Sequence, residues 1–275
     1  TINANGGTTS TENQEVYYEG QVNVVSPTKT GYTFTGWSGA TLQDTTLTMP
    51  ASNVTLSANY TANTYTLYFD ANGGSVTPTQ KSVTYDSQYG TLPTPTREGY
   101  TFNGWYVNGT KIESTTTVKI TQATSAVANW TKNSYTLTIN PNGGTYNNST
   151  STYQKGMEYQ EEFTITDPTR EGYTFNGWEV TGTNASFNAT TKVFKMGSSN
   201  ATLSAKWTIN KYKLTIEGTN SCDGEFNLDY QETKTLCTPV NEGHTFAGWE
   251  DNDSLIQNNI VTMKKSLSIL CALLF

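Results

Sequence analysis

Apolar and polar residues alternate with period two along short runs, and the runs recur. Tyr135, Leu137 and Ile139 alternate with Thr136 and Thr138, which predicts a half-buried strand. Asn142-Gly143 follows and predicts a turn, because both residues tolerate positive φ; Asn5-Gly6 and Asn72-Gly73 repeat it. Phe163 and Ile165 alternate again, for a second strand. Next come Asp167-Pro168 and, four residues after the proline, Gly172. An N-cap side chain, a first-turn proline and a closing glycine predict one short helical turn. Ser26-Pro27 with Gly31, Thr94-Pro95 with Gly99, and Thr238-Pro239 with Gly243 predict three more. Tyr173 and Phe175 then share one face of a third strand, while Trp178 is out of step by one residue, with Gly177 between. A glycine that flips side-chain parity predicts a bulge. Leu203, Ala205 and Trp207 alternate with Ser204 and Lys206 in a closing strand; Leu56, Ala58, Tyr60 and Ala126, Ala128, Trp130 match it.

The whole pattern is repeated four times. Gly31-Tyr-Thr-Phe-Thr-Gly-Trp37, Gly99-Tyr-Thr-Phe-Asn-Gly-Trp105, Gly172-Tyr-Thr-Phe-Asn-Gly-Trp178 and Gly243-His-Thr-Phe-Ala-Gly-Trp249 are one phrase, with tryptophans 68, 73 and 71 residues apart. Solenoid units run about 20–50 residues and cannot stand alone, whereas about 70 residues close a small core of their own. The chain is therefore expected to be a string of four mainly β modules, α+β at most: 1–63, 64–133, 134–210 and 211–275. The first begins in mid-strand, because Thr1-Ile2-Asn3 aligns with Thr138-Ile139-Asn140. The expected cores centre on Trp37, Trp105, Trp178 and Trp249, on Phe34, Phe102, Phe175 and Phe246, and on the closing aromatics Tyr60, Trp130 and Trp207. Burying about 200 Å² of one tryptophan is worth at most about 5 kcal/mol, comparable with the whole stability of so small a module. Trp105→Ala is accordingly expected to unfold its own module, read as the loss of one thermal transition.

Composition narrows the function. Only 14% of residues are charged, the net charge is −7 and aromatics make up 12%. That aromatic content argues against disorder, and the weak acidic surface gives no footprint for nucleic acid or for anionic membrane. No apolar run approaches the roughly 18–20 residues of a spanning helix, so no membrane insertion is expected.

The motifs resemble those of the internalin B-repeat family, also called Listeria–Bacteroides repeats. The shared phrase is Tyr-Thr-apolar, then Asn-Gly-Gly, then Pro-Thr-(Lys/Arg)-Xaa-Gly-Tyr-Thr-Phe-Xaa-Gly-Trp, and a closing apolar-Xaa-Ala-Xaa-aromatic. It covers essentially the whole chain, most closely in the second and third copies and most loosely in the fourth. The resemblance implies a compact β-grasp-like fold, tandem repetition in bacterial surface proteins and no catalysis. Placement at the extracellular cell surface, beside other domains of a longer protein, follows from the same likeness.

Candidate chemistry is sparse. His244 is the single histidine and replaces Tyr32, Tyr100 and Tyr173, so it reads as a packing or surface residue rather than as a ligand. No Cys/His zinc cluster and no nucleophile elbow can be built. Glu161 and Glu162 are neighbours on a strand and face opposite ways. Asp70-Ala-Asn-Gly-Gly74 lacks the further acidic ligands of a calcium loop, and Asp251-Asn252-Asp253 reads as a loop despite its oxygens. Hence no catalytic, cofactor-binding or metal residues are assigned, and no cofactor is expected. The sequons Asn53-Val-Thr55, Asn188-Ala-Thr190 and Asn200-Ala-Thr202 arise readily in an Asn/Thr-rich chain. An isopeptide bond, seen as the loss of an ammonia mass, stays open.

The fourth module differs. Cys222 and Cys237 lie fifteen apart and are the favoured disulfide; pairings with Cys271, or none, stay open. In its last strand Leu270, Ala272 and Leu274 are assigned inward, which leaves Cys271, Leu273 and Phe275 as an apolar outer face and a candidate interface. Two functions follow. One is a structural stalk, favoured by short joints at Thr61-Ala-Asn63, Thr131-Lys-Asn133 and Thr208-Ile-Asn210 without Gly/Ser runs. The other is an adhesin for host glycan or protein, using Tyr17, Tyr18, Tyr106 and Tyr153. Head-to-tail self-association into an extracellular filament, by strand addition between the half strand at Thr1 and the last strand, is a further alternative.

Overall fold

The structure, a computed structural model, describes residues 1–217, 222–240, 242–250 and 255–274. Among them every regular element is a strand. The chain divides into two compact units, Thr1–Lys132 and Asn133–Phe275. Each unit holds two hydrophobic cores, and each core lies within one repeat.

The third repeat shows the plan most fully. Its opening strand, Ser134–Asn140, runs parallel to the closing strand, Ala201–Ile209. The Gly-Trp strand, Tyr173–Thr181, flanks the closing strand antiparallel, and a return strand, Tyr153–Glu158, flanks the opening strand. The sheet order is thus return, opening, closing, Gly-Trp. The fourth repeat has the same order, with opening strand Lys211–Glu217, return strand Gly224–Asp229, Gly-Trp strand Thr245–Glu250 and closing strand Leu267–Leu274. The second repeat adds a short fifth strand, Thr110–Ile112, beyond its Gly-Trp strand. The first keeps only opening (Ile2–Asn3), closing (Leu56–Ala62) and Gly-Trp (Tyr32–Ser38) strands in its main sheet.

The parity flip expected at Gly-Trp is a bulge. Register shifts between Phe34 and Gly36, between Asn129 and Trp130 opposite Gly104, between Phe175 and Trp178, and between Phe246 and Gly248. The extra residue turns phenylalanine and tryptophan to the same side of the sheet, where each pair packs edge to face at about 5.5 Å.

The expected helical turns are absent from the described residues, and the reason is pairing. Thr28, Thr96 and Thr169 bridge antiparallel to Thr8, Ser75 and Thr145, just beyond the Asn-Gly turns. Their backbone groups are used across the sheet, so the segment after each proline stays extended. The glycine that was to close a helix closes a β-turn instead: Tyr173 N–H donates to Arg170 C=O, with Gly172 at φ 75°.

The last strand also departs from expectation. Cys271 pairs with Trp249 and Leu273 with Phe246. These are the register positions of Ala58, Ala128 and Ala205 opposite Trp37, Trp105 and Trp178, and of Tyr60, Trp130 and Trp207 opposite Phe34, Phe102 and Phe175. Leu267 and Ile269, of the same parity as Cys271 and Leu273, are buried, whereas Ser268 is exposed. The register therefore puts Cys271 and Leu273, rather than Leu270, Ala272 and Leu274, at the positions that Ala205 and Trp207 hold in the third repeat, one residue away from the expected assignment. Phe275 and Asp251-Asn252-Asp253 lie outside the described residues.

Candidate functional site

Among the described residues no three His, Cys, Asp or Glu side chains gather as metal ligands, and no helix is long and apolar enough to cross a membrane. Glu161 accepts from the backbone N–H of Glu158 and pairs with Lys155, a turn-fixing role. Asp70 accepts from the N–H of Asn72, shaping the turn. Cys222 and Cys237 are joined, with Cα atoms 6.1 Å apart.

The aromatic residues of the repeated phrase sit at different depths. Trp105 is 2% exposed, and its indole N–H donates to Pro93 C=O at 2.8 Å. Trp37, Trp178 and Trp249 are half-buried against their cores, and the buried indole nitrogens of Trp178 and Trp249 have no hydrogen-bond partner among the described residues. Phe34, Phe102, Phe175 and Phe246 are half-buried. The closing aromatics act on the turns. Tyr60 donates to Ala4 C=O, Trp130 to Ala71 C=O and Trp207 to Pro141 C=O, at 2.9–3.0 Å. A Cβ on Gly144 would lie 2.5 Å from the Trp207 ring, so the second glycine of Asn-Gly-Gly is needed for this close approach.

The most elaborate polar construction lies where two repeats of one unit meet. In Thr1–Lys132, Asn63 is the hub: its N–H donates to Gly31 C=O and its C=O accepts from Tyr85 N–H, both at 2.9 Å. Thr33 Oγ1 donates to Asn63 Oδ1 at 2.6 Å. The Tyr85 ring lies on Gly31 so closely that a Cβ there would be 2.3 Å from it. Tyr32 packs edge-on to Tyr85 at 5.6 Å, and its hydroxyl donates to Asp86 Oδ2 at 2.7 Å. Lys119 completes the cluster as the second donor to Asp86 and lies over the Tyr85 ring. The hydrogen bond from Lys119, then that from Tyr32, holds the Asp86 carboxyl below the usual carboxylate range. The bond to Asp86 pushes the Tyr32 phenol up, helped by desolvation and the Asp86 charge.

The same frame recurs in Asn133–Phe275. Asn210 N–H donates to Gly172 C=O, and Tyr230 N–H donates to Asn210 C=O, both at 2.9 Å. Thr174 Oγ1 donates to Asn210 Oδ1 at 2.6 Å. The Tyr230 ring lies on Gly172, where a Cβ would be 2.0 Å away, and Tyr173 packs edge-on to it at 6.3 Å. The polar partner differs: Tyr230 hydrogen-bonds Glu171, and that bond, then burial, pushes its phenol up.

Two positions present the halves of such a joint singly. Tyr18-Glu19 occupies the turn of Tyr85-Asp86, with φ 63° at Glu19 against 62° at Asp86, yet Tyr18 is 66% and Tyr17 93% exposed. Gly243 has φ 78°, as Gly31 has 77°, yet a Cβ there would meet nothing within 4 Å. Tyr106 is half-buried, Tyr153 packs at a tilt against Tyr146, and half-buried His244 follows Gly243 where the other repeats have tyrosine.

Family models match four successive segments of the chain. The Listeria-Bacteroides repeat domain matches residues 65–129, 135–206 and 214–269, and the divergent InlB B-repeat domain matches residues 1–64. A putative Gly-rich membrane protein of Evansella cellulosilytica is 31% identical over 268 residues, covering 89% of this chain and 29% of that protein. A putative membrane protein of the same organism is 31% identical over 245 residues, covering 81% of this chain and 34% of that protein. Internalin H of Listeria monocytogenes is 42% identical over 116 residues, covering 39% of this chain and 21% of that protein. The chain thus spans about a third or less of the length of these relatives.

Proposed function

The chain belongs to the Listeria-Bacteroides repeat family, and from that premise we propose that it serves as a non-catalytic spacer in a bacterial cell-surface protein. The observation that carries this reading is the joint built twice on one plan. A hinge meant to flex needs no tyrosine seated on glycine and no asparagine bonded from both sides. Here three backbone and side-chain hydrogen bonds converge on a single linker residue, Asn63 or Asn210, and a tyrosine ring covers the glycine whose carbonyl that residue bonds. Fixing that residue removes the freedom of a loose linker, at a conformational cost of about 1–2 kcal/mol per residue that the contacts offset. Relatives named as membrane proteins and an internalin support placement in the cell envelope. The test tethers a binding reporter to a bead through this chain or through a Gly/Ser chain of equal length. The spacer reading expects a narrow distribution of reporter distances for this chain. A distribution as broad as that of the Gly/Ser tether, which scales roughly as 5–6 Å × √n, would refute it.

A second reading, head-to-tail association, is favoured by the exposed Tyr18 and the open Gly243. These are the two halves of a joint, carried in different repeats. Light scattering across a concentration series separates the readings: growth in mass that Tyr18→Ala abolishes supports association, and constant monomer mass removes it. An adhesin for host glycan or protein would rest on the exposed tyrosines, and retention on a glycan array that fails with Tyr17→Ala and Tyr18→Ala would establish it.

A further inference from the structure

The chain contains six Asn-Gly pairs: Asn5, Asn72, Asn103, Asn108, Asn142 and Asn176 each precede glycine. All six asparagines are exposed. Four of them, Asn5, Asn72, Asn108 and Asn142, share the same left-handed backbone, with φ of 47–49°. Neither exposure, nor the following residue, nor φ distinguishes those four. Their side-chain amides do.

In the three Asn-Gly-Gly turns the amide nitrogen is tied across the sheet. Asn5 Nδ2 donates to Ala58 C=O at 3.2 Å, Asn72 Nδ2 to Ala128 C=O at 3.1 Å and Asn142 Nδ2 to Ala205 C=O at 3.0 Å. Their own backbone N–H groups also donate to Asn3, Asp70 and Asn140 side chains at 2.8–3.0 Å. The two asparagines in Gly-Trp strands are held as well: Asn103 Nδ2 donates to Asn129 Oδ1 and Thr131 Oγ1, and Asn176 Nδ2 donates to Thr208 Oγ1. Asn108 is different. It forms, with Gly109, the two-residue turn between Tyr100–Val107 and Thr110–Ile112, and its side chain makes no hydrogen bond among the described residues. Gly109 is exposed and a Cβ on it would meet nothing within 4 Å, so the turn leaves room around the peptide bond that follows Asn108.

We propose that Asn108 is a site of spontaneous deamidation, the one Asn-Gly pair of the six whose amide the fold leaves unrestrained. The Gly109 backbone nitrogen, losing its proton to hydroxide, attacks Asn108 Cγ. A C–N bond forms, the bond from Cγ to Nδ2 breaks, and Nδ2 leaves with a proton from water as ammonia. Water then opens the cyclic imide at either carbonyl, giving aspartate or isoaspartate, each with one negative charge more than before. At the other sites Cγ must first swing away from its partner, breaking a bond that the sheet holds in place. A hydrogen bond of ordinary strength slows that step by up to about tenfold.

The consequence is local. An isoaspartate places an extra methylene in the main chain of a two-residue turn, which cannot then keep the register Val107↔Thr110. Ile112, buried on the far side of that hairpin, also lines a notch of about 410 Å³ with Tyr89, Val107 and Ile120, so the core of this repeat feels the change.

The test ages the folded chain at mildly alkaline pH and follows each Asn-Gly peptide by mass, reading the gain of roughly 1 Da. A parallel sample is aged in guanidinium chloride. The expected result is that Asn108 converts about tenfold faster than Asn5, Asn72 and Asn142 in the folded chain, and that the difference collapses on unfolding. Asn108→Gly, which keeps a residue suited to positive φ, should remove the fast component. Equal rates at Asn72 or Asn142 in the folded chain would overturn the proposal, and so would no conversion at Asn108. A lead for Asn108 that persists in guanidinium would also overturn it, by placing the cause in local sequence rather than in the fold.

Discussion

The joint at Asn63 and the joint at Asn210 share a backbone and differ in their charges. Both seat a tyrosine on a glycine at positive φ, and both bond one asparagine from two sides. Around Tyr85 the polar partner is Asp86 with Lys119 and Tyr32; around Tyr230 it is Glu171. The shared part is geometry that only a few residues satisfy. The variable part is surface charge, which contributes little in water. The comparison therefore assigns the coupling of the modules to glycine, asparagine and tyrosine, and leaves the ion pairs to adjust it.

Removing the glycine should do most. Gly31→Ala and Gly172→Ala combine a left-handed backbone with a Cβ 2.0–2.3 Å from a ring, a cost of about 2–3 kcal/mol. Hydrogen exchange at the amides of Asn63 and Asn210 should then quicken by roughly a hundredfold, equally at both joints, while core amides keep their protection. Unequal responses would break the claim of a shared frame. Tyr230→Ala and Tyr85→Ala come next. Tyr230 is 9% exposed and Tyr85 is half-buried, so the loss should be greater at the second joint, read by the same exchange.

Acid should separate the two. Asp86 has its carboxyl held low by Lys119 and Tyr32, so its contribution is complete above the ordinary carboxylate range near pH 4 and is lost as pH falls through its folded value. Tyr230 has its phenol pushed up by Glu171 and burial, so its contribution is complete below about pH 10 and is lost as pH rises through its folded value. Tyr32, also raised, adds an alkaline loss at the first joint. Exchange corrected for its intrinsic pH dependence should thus show titration of Asp86 opening the first joint on the acid side. The smallest effect is Asp86→Asn, a change of a few-fold at the first joint that about 0.5 M salt erases.

Much of this was readable in the chain, for physical reasons. The repeat, the Asn-Gly turns, the alternation of Leu203, Ala205 and Trp207, and the bulge at Gly-Trp are all local signals, and local signals survive without coordinates. The segments after each proline misled because Thr28, Thr96 and Thr169 take their partners from a different turn. The face of the last strand was misassigned because Leu267–Leu274 is apolar almost throughout, and period two cannot set register where both parities are apolar. Phe194 and Met196 are fully buried, yet they lie outside the strands that the alternation predicts. The joint tyrosines leave only a faint mark in the sequence, a tyrosine before an acidic or amide residue at Tyr85-Asp86 and Tyr230-Gln231, where the second residue takes φ of 61–62°. That turn recurs in the repeats, but only a neighbouring repeat shows what its tyrosine touches.

The central claim is that the joint fixes one repeat to the next. Residual dipolar couplings measured on the intact chain test it directly within Thr1–Lys132. One alignment tensor should fit the amides of residues 1–63 and 64–132 together, and Gly31→Ala should split it into two. Two tensors of different magnitude in the unmodified chain would mean that the repeats reorient freely, and the account would fail.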